Sequence, residues 1–280
     1  MLVIFTDLDG TLLAERTFSW AAAAPALRRV AQLRVPLVFC SSKTRAEILF
    51  WRRRLDNAHP FISENGGGVF IPPGYFTGLE NFPVSDGLVT MALGSPYARL
   101  REEFATLRQR LGVAVRGFGD MTASEISTLT GLPLEQAELA RQRDFDEPFI
   151  FHAGADARFL RAIEESGRHW TSGRLQHLMG DHDKGRAVRL LIERFSGEWE
   201  TVESAALGDG FNDLPMLQVV EHPFLIRRSG GSFAADVDLP GLSRTRGEGP
   251  AGWNEAVMAL LAGRLPVGAE GDRKARRSRT

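Results

Sequence analysis

The chain has 280 residues, enough for one large domain or two modest ones. Hydrophobic residues make up 43% and charged residues 25%, a globular mix that excludes disordered and fibrous classes. The formal net charge is −1, so the chain lacks the overall positive electrostatic field that non-specific nucleic-acid binding requires. We therefore expect no nucleic-acid partner.

The first apolar segment carries no targeting signal. MLVIFTDLDG has neither a basic region nor a cleavage site, and no apolar run in the chain approaches the ~20 residues that span a membrane. The single cysteine, Cys40, follows a second apolar run and cannot form an internal disulfide. We therefore expect a cytoplasmic protein without a membrane partner; its oligomeric state stays open.

Short apolar strands alternate with amphipathic helices at both ends of the chain. The predicted elements, in order, are a strand at 2–6, a helix at 20–34, a strand at 35–40, a capped helix from 41, a strand–turn–strand at 60–71, a helix at 183–195, a strand ending near 208 and a helix after it. Uninterrupted apolar strands separated by helices are typical of a buried parallel sheet. The fold class is predicted as α/β, doubly wound and mostly parallel.

The middle of the chain has a different pattern. From about Gly78 to about Arg168, strand-like segments such as GLVTMAL alternate with several helices, which predicts an inserted α+β unit. We place the core at 1–78 and 178–264, and the inserted unit at 79–177. Residues 265–280 are predicted to be a disordered tail, because five of the last eight are basic and none anchors them.

Two pairs of aspartates stand where apolar strands end. Asp7 and Asp9 are two residues apart, so their side chains leave a strand on the same face. Asp209 and Asp213 follow a later strand in GDGFNDLPML. In open parallel sheets ligands bind at the carboxyl ends of the strands, and carboxylates without Cys or His beside them suit a hard cation. The sequence therefore predicts a Mg²⁺ site.

Donors for a phosphate group also follow strands or begin helices. Ser41 and Ser42 offer hydroxyl groups at a helix start. Lysine is rare, with three residues against 31 arginines, and two of the three, Lys43 and Lys184, fall in these segments. Taken alone, Ser41 is better explained as a helix cap and Lys184 as a solvated helix-start residue. The sequence contains neither a GxxxxGK[ST] loop nor a GxGxxG turn, which argues against nucleotide cofactors.

These motifs together resemble those of the haloacid dehalogenase superfamily, in its DxDGT phosphatase branch. The matching segments, in the family's order, are DLDGTLL (7–13), Ser41, Lys184 with Gly185, and GDGFND (208–213). The insertion resembles a C2-type cap, which implies a substrate-selecting unit above a Rossmann-like core. More narrowly, CSSKTRAEI (40–48), SENGGGVFIP (63–72), DEPFIF (146–151) and GEGPAGWNEAV (247–257) resemble mannosyl-3-phosphoglycerate phosphatases, with the glucosyl-3-phosphoglycerate phosphatases as close relatives.

The resemblance implies a mechanism. Asp7 would be the nucleophile that forms an aspartyl-phosphate, and Asp9 the general acid and base. Mg²⁺ would be held by Asp7, the Asp9 backbone carbonyl and Asp209, with Asp213 in support, while Ser41, Ser42 and Lys184 would bind the phosphate. One departure is Gly210, where many members of the family have Ser.

The same resemblance suggests residues that contact the rest of a phosphorylated glycoside substrate. The candidates are Lys43, Asn65, Gly66, Gly67, Thr171, Ser172, Gly173, Arg174 and His177. Some of them have an ordinary alternative: the glycines make a tight turn, Arg174 is a surface charge, and His177 is structural. Glu147 is placed either against sugar hydroxyls or at a helix end. Two further functions stay open: hydrolysis of another sugar phosphate on the same core, and a non-catalytic binding scaffold.

Overall fold

The computed structural model describes residues 1–234 and 236–265, so the predicted tail, apart from its first residue, lies outside the described residues. Thirteen strands are present in this part: β1 (Leu2–Thr6), β2 (Leu37–Cys40), β3 (Phe61–Ser63), β4 (Gly68–Ile71), β5 (Val84–Ser85), β6 (Leu88–Ala92), β7 (Val115–Gly117), β8 (Asp146–Phe151), β9 (His169–Ser172), β10 (Gln176–Met179), β11 (Glu203–Gly208), β12 (His222–Arg227) and β13 (Ser243–Glu248).

Nine helices accompany these strands within the same residues: α1 (Ala24–Leu33), α2 (Arg45–Arg54), α3 (Tyr97–Leu111), α4 (Ala123–Thr130), α5 (Leu134–Ala140), α6 (Ala157–Glu165), α7 (Lys184–Glu198), α8 (Leu214–Leu217) and α9 (Gly249–Leu260). Their starts follow capping chemistry. Thr44 and Glu47 form a reciprocal capping box on α2, and the Asp183 side chain accepts from Arg186 N at the start of α7. None of the described helices has the length and apolar character to cross a membrane.

The larger sheet has the strand order β13-β12-β11-β1-β2-β3-β4-β6-β5. Its first six strands, from β13 to β3, run parallel, and β4, β6 and β5 add antiparallel to the edge. The chain leaves β1 toward β2 and β3, then returns on the other side through β11. The strand order therefore reverses between β1 and β11, the point where open α/β sheets form a crevice.

Two apolar layers cover the faces of this sheet. Along β1, Ile4 belongs to the layer beneath α1, α2 and α9, whereas Val3 and Phe5 belong to the layer beneath α7 and α8. Both faces being buried explains why the strands are continuously apolar rather than alternating. Trp253 of α9 is fully buried and donates from Nε1 to Thr6 Oγ1 at 2.9 Å, which fixes the end of β1 just before Asp7.

The smaller sheet is antiparallel, with the order β7-β8-β10-β9. Helices α3 and α6 pack on it through a separate aromatic core that includes Phe104, Phe149 and Phe159. We call this sheet with α3–α6 the cap. The arrangement confirms the predicted α/β fold with an inserted α+β unit.

One predicted assignment is corrected. The strand-like GLVTMAL was assigned to the insertion, but β6 pairs antiparallel with β4 and so belongs to the larger sheet. Its residues continue the edge of the core because Val89 packs in the same apolar layer as Val69 and Ile71. The boundaries proposed at 79 and 177 stay a prediction, and this pairing favours a later start for the cap.

Candidate active site

Three carboxylates converge at the crevice between β1 and β11. Asp7 directly follows β1 and Asp209 directly follows β11, on neighbouring parallel strands. One carboxylate oxygen from each of Asp7, Asp209 and Asp213 lies within 4.8 Å of the others. We call these three residues the carboxylate cluster. Of the four predicted metal ligands, the structure thus brings three side chains together.

Local backbone geometry holds the cluster in place. Asp213 ends a 3-10 turn at Phe211–Asp213, and its Oδ2 accepts from Asp209 N at 2.9 Å and from Gly210 N at 2.8 Å. Gly10 has φ +81°, and a Cβ there would lie 2.9 Å from Asp209 Oδ1. A glycine is required at this position because the DLDG loop both turns left-handed and passes directly against a carboxylate.

Two cationic side chains face the cluster. Lys184 Nζ lies 2.6 Å from Asp7 Oδ1 and 2.5 Å from Asp213 Oδ1, and the lysine is fully buried. Arg228 Nε lies 3.1 Å from Asp209 Oδ2. Burial opposes the charge of Lys184, yet Asp213 and Asp7 raise the pKa of its ammonium above the usual range. Lys184 is therefore a fixed positive charge at the predicted position.

Negative charge still exceeds what these cations compensate. Burial, with Asp213 and Asp209 adding to it, raises the pKa of Asp7 well above its usual value despite Lys184. Burial and then Asp213 raise the pKa of Asp209 to about 6. A set of oxygen ligands under mutual repulsion fits a hard divalent cation, which would relieve that repulsion. The residues present therefore fit Mg²⁺.

Asp9 lies apart from this cluster. Its side chain is 38% exposed, and its Oδ2 lies 2.7 Å from Lys43 Nζ. Its Oδ1 is buried and has no hydrogen-bond partner among the residues that the structure describes. The predicted metal contact through the Asp9 backbone carbonyl stays a prediction, whereas the side chain is oriented separately from the three clustered carboxylates.

The predicted phosphate-binding serines lie at the end of β2. Ser41 is 1% exposed, and its hydroxyl accepts from Lys43 N at 3.4 Å. Ser42 lines an open cavity of about 400 Å³ that also reaches Asp7, Asp9 and Lys43. Both serines therefore follow the strand next to β1, and Ser42 borders the same cavity as the candidate nucleophile.

The same cavity extends from the strand ends to the cap. On the cap side it is bordered by Gly173, Arg174, Leu175 and His177, around the hairpin that joins β9 and β10. The predicted Thr171 and Ser172 lie on β9, which packs against the 3-10 turn that ends in Asp213. A volume of this size suits a small phosphorylated ligand enclosed by core and cap.

A second group of buried charged residues joins the cap to the core. We call Glu64, Asn65, Arg143, Asp146 and His177 the cap–core cluster. Arg143 pairs with Asp146 and, at 3.3 Å, with Glu64 Oε2, while its Nη2 donates to the Ser42 carbonyl at 3.0 Å. His177 Nδ1 lies 3.1 Å from Asp146 Oδ2. The cluster thus connects the cap to the loop after β2.

The carboxylate of Glu64 is almost fully occupied by backbone donors. It accepts from the amide nitrogens of Asp144, Phe145 and Asp146, at 2.9, 2.8 and 2.9 Å. Burial raises the pKa of Glu64 to about 7 against the effect of Arg143. Although burial opposes it, Arg143 and His177 lower the pKa of Asp146 to about 2.

The glycine turn after β3 is enclosed by protein. Asn65 donates to Asp146 Oδ2 and accepts from Asn212 Nδ2, both at 3.0 Å. A Cβ on Gly66 would lie 2.1 Å from the Asp183 carbonyl oxygen, and one on Gly67 would lie 2.3 Å from Phe145 Cβ. These contacts favour close packing as the reason for the glycines; contact of the turn with a ligand stays a prediction.

Glu147 is occupied within the cap. Its carboxylate accepts from Tyr97 Oη at 2.5 Å and Arg101 Nη1 at 2.7 Å, and it is fully buried. It lies on β8, so the expectation that it ends a helix is wrong. Its oxygens stabilise the cap's own packing.

Sequence reasoning missed several residues of these groups. Arg228 follows β12 and was detectable by the same strand-end rule that identified Asp7 and Asp209. Arg143 carried no signal, because it is one of 31 arginines and its partners Glu64 and Ser42 lie far away in the sequence. Glu47, whose Oε1 lies 3.4 Å from Lys43 Nζ, was missed because its sequence position is that of an ordinary helix residue.

Comparison with known proteins gives consistent relatives, although no protein-family model matches the chain. A glucosyl-3-phosphoglycerate/mannosyl-3-phosphoglycerate phosphatase from Methanococcoides burtonii is 41% identical over 263 residues, covering 92% of this chain and 97% of the relative. One of the same description from Persephonella marina is 39% identical, covering 93% and 97%. A haloacid dehalogenase-like hydrolase from B. subtilis superposes with a TM-score of 0.63 at 16% identity, covering 94% and 100%, which shows a shared fold.

Proposed function

The chain belongs to the glucosyl-3-phosphoglycerate/mannosyl-3-phosphoglycerate phosphatase family, and we propose that it hydrolyses glucosyl-3-phosphoglycerate, mannosyl-3-phosphoglycerate or both to the glycosylglycerate and phosphate. The family resemblance drawn from the motifs is confirmed. The observation that carries the proposal is 41% identity across nearly the whole length of both proteins. The reacting residues that the motif assigns, Asp7 and Asp9, both border the cavity.

Asp7 acts as the nucleophile in this proposal. One of its carboxylate oxygens attacks phosphorus while the bond from phosphorus to the glycerate oxygen breaks, which gives an aspartyl-phosphate. The contact of Asp7 Oδ1 with Lys184 supports this role, because it fixes the carboxylate at the end of β1. Water then attacks the aspartyl-phosphate, releasing phosphate and restoring the Asp7 carboxylate.

Asp9 moves the proton in both steps. It donates a proton to the leaving glycerate oxygen, and then accepts one from the attacking water. The Asp9 side chain borders the cavity and is 38% exposed, which supports this role. Lys184, Ser41 and Ser42 hold the phosphate oxygens by charge and hydrogen bonds, where positioning supplies much of the rate.

Asp7, Asp209 and Asp213 would hold or support Mg²⁺, together with the backbone carbonyl of Asp9. When bound, Mg²⁺ offsets the repulsion between an anionic carboxylate and an anionic phosphate. Burial, with the neighbouring carboxylates adding to it, raises the pKa values of Asp7 and Asp209, which supports this assignment because a bound cation would favour their charged forms.

The cap selects the substrate in this proposal. Gly173, Arg174 and His177 border, from the cap side, the same cavity that Asp7 and Asp209 border from the core. Arg174 is suited to a substrate carboxylate, because a guanidinium binds it through two parallel hydrogen bonds. Cap closure would exclude water before transfer. The cytoplasmic location and the small-molecule partner expected from the sequence remain part of the proposal.

The test is phosphate release with Mg²⁺ from a matched panel: glucosyl-3-phosphoglycerate, mannosyl-3-phosphoglycerate, 3-phosphoglycerate, mannose 6-phosphate and sucrose 6-phosphate. We expect the two glycosyl phosphoglycerates to be preferred by at least about a hundredfold in kcat/KM, roughly 2.7 kcal/mol of differential transition-state binding. A preference for another sugar phosphate would keep the phosphatase and replace its substrate. No release from any member would favour the binding scaffold instead.

A further inference from the structure

A buried lysine connects the candidate general acid to a helix. Lys43 Nζ lies 2.7 Å from Asp9 Oδ2 and 3.4 Å from Glu47 Oε1, and the side chain is 4% exposed. The ammonium also lies 5.5 Å from the centroid of the Phe18 ring. These three neighbours, Asp9, Glu47 and Phe18, therefore restrict the position of the Lys43 ammonium group.

Glu47 is itself immobilised. Its Oε2 accepts from Thr44 N at 2.9 Å, the reciprocal bond of the capping box that begins α2. The other oxygen, Oε1, faces Lys43. The start of α2 orients Glu47, and Glu47 contacts Lys43. The backbone of α2 therefore fixes the position of the Lys43 ammonium group.

The two oxygens of Asp9 have different environments. Oδ2 contacts Lys43, whereas the buried Oδ1 meets no donor within the described portion of the chain. An aspartate whose Oδ2 is held by a buried ammonium group keeps a defined rotamer, although its side chain is 38% exposed. A proton-transferring carboxyl group needs such a fixed orientation toward the reacting atoms.

The same contacts make Lys43 a fixed charge within the protein. Its ammonium group already faces two carboxylates, as that of Lys184 does. Burial opposes its charge, yet Asp9 and Glu47 raise its pKa above the usual range. Lys43 is therefore a permanent cation beside Asp9.

We propose that Lys43 is a positioning residue for phosphoryl transfer: it holds Asp9 by Oδ2 so that the Asp9 carboxyl group is oriented toward the leaving glycerate oxygen. This rests on the proposed phosphatase function. As the bond from phosphorus to the glycerate oxygen breaks, the proton passes from the Asp9 carboxyl group to that oxygen. Lys43 transfers no proton; it sets where the transfer takes place.

The experiment is a double-mutant cycle on glucosyl-3-phosphoglycerate with Lys43→Met, Asp9→Asn and the double variant. A positioned general acid contributes about 10²–10⁴-fold, so we expect Lys43→Met to lower kcat by roughly 30- to 100-fold while KM stays within about threefold. Because Lys43 acts through Asp9, the double variant should be no slower than Asp9→Asn, within about twofold. Multiplicative losses would overturn the proposal.

Two variants separate positioning from folding and from substrate binding. Lys43→Arg keeps a cation beside Asp9 and should recover kcat to within about tenfold of wild type; kcat as low as that of Lys43→Met would contradict the proposal. Glu47→Gln keeps the capping bond but removes the anchoring charge, and should lower kcat by about threefold or more. It keeps the test available if Lys43→Met fails to fold.

Substrate binding has its own signature. A tenfold rise in KM for Lys43→Met at unchanged kcat would assign Lys43 to the glycerate carboxylate and overturn the positioning role. If the wild type hydrolyses a different sugar phosphate of the panel, the proposed substrate fails, and the same cycle is run on that ester. The two failures are therefore distinguishable.

Discussion

The carboxylate cluster and the cap–core cluster are both buried groups of charged residues, but they differ in how their negative charges are compensated. In the carboxylate cluster, burial and mutual repulsion raise the pKa of Asp7 and of Asp209, although Lys184 and Arg228 are in contact with them. In the cap–core cluster, Arg143 contacts both Asp146 and Glu64, and three backbone amides occupy the Glu64 carboxylate.

The difference separates a site that needs a ligand from one that does not. The carboxylate cluster borders an open cavity, and its negative charges are not fully compensated by cations. Binding of a cation, or phosphoryl transfer to Asp7, should therefore change the electrostatic energy of the cluster strongly. The groups of the cap–core cluster have their partners within the protein, although Arg143 and His177 also border the cavity. Mutations of Asp7 or Asp209 should therefore reduce activity, and mutations of Glu64 or Arg143 should mainly reduce stability.

The largest effect is expected for Asp7→Asn. An amide cannot form the acyl-phosphate, so kcat should fall at least about a thousandfold, about 4 kcal/mol of barrier. The melting temperature should not fall, because the substitution removes a buried charge whose pKa is already raised by burial and its neighbours. Phosphate release and thermal unfolding measure the two quantities. Activity within tenfold of wild type would remove Asp7 as the nucleophile.

Arg143→Met should show the opposite pattern. It leaves Asp146 and Glu64 buried without their shared guanidinium, and breaking a buried pair in this way costs about 3–5 kcal/mol. We expect a melting temperature about 10 °C lower. Arg141→Met is the matched control, since Arg141 is 44% exposed and pairs with Glu138 at 3.5 Å; it should change stability by less than about 0.5 kcal/mol. Equal effects would contradict the distinction.

Mg²⁺ should stabilise the protein through the carboxylate cluster and not through the cap–core cluster. At a concentration 100 times its dissociation constant it should stabilise the protein by about 2.7 kcal/mol, which thermal unfolding with and without EDTA would detect. Asp209→Asn should abolish this shift, whereas Glu64→Gln, in the cap–core cluster, should retain it. The idea fails if Asp209→Asn keeps the full shift. EDTA should also stop phosphate release, and added Mg²⁺ should restore it.

The same contrast explains what the sequence predicted. Asp7, Ser41 and Asp209 each follow an apolar strand, and parallel strands bring their carboxyl ends to one edge, so local pattern and a topological rule were sufficient. Glu64, which follows β3, and Arg143, which precedes β8, meet across 79 positions, and no local periodicity encodes that contact. The strand Leu88–Ala92 was misassigned for a related reason: its pattern predicts a strand, but not which sheet it joins.

Asn212 links the two groups, and Gly210→Ser tests that link with the smallest expected effect. Gly210 has φ −104°, which any residue adopts, so the constraint is space: a Cβ would lie 2.4 Å from Asn212 Oδ1. Serine therefore requires the Asn212 amide to move, which weakens its 3.0 Å hydrogen bond to Asn65. Loss of one such bond predicts about 1 kcal/mol of stability and a fall of up to roughly fivefold in kcat/KM.

The control for Gly210→Ser is the same change in an Asn212→Ala background. With the amide absent, the added side chain meets only Asp213 Oδ2 at 3.3 Å and Arg228 Nη2 at 3.6 Å, contacts that small movements accommodate. Gly210→Ser should then leave thermal unfolding and kcat/KM unchanged. If Gly210→Ser lowers stability as much in this background as in the wild type, the strain lies in the loop that carries Asp209 and Asp213. Asn212 then does not connect the two groups.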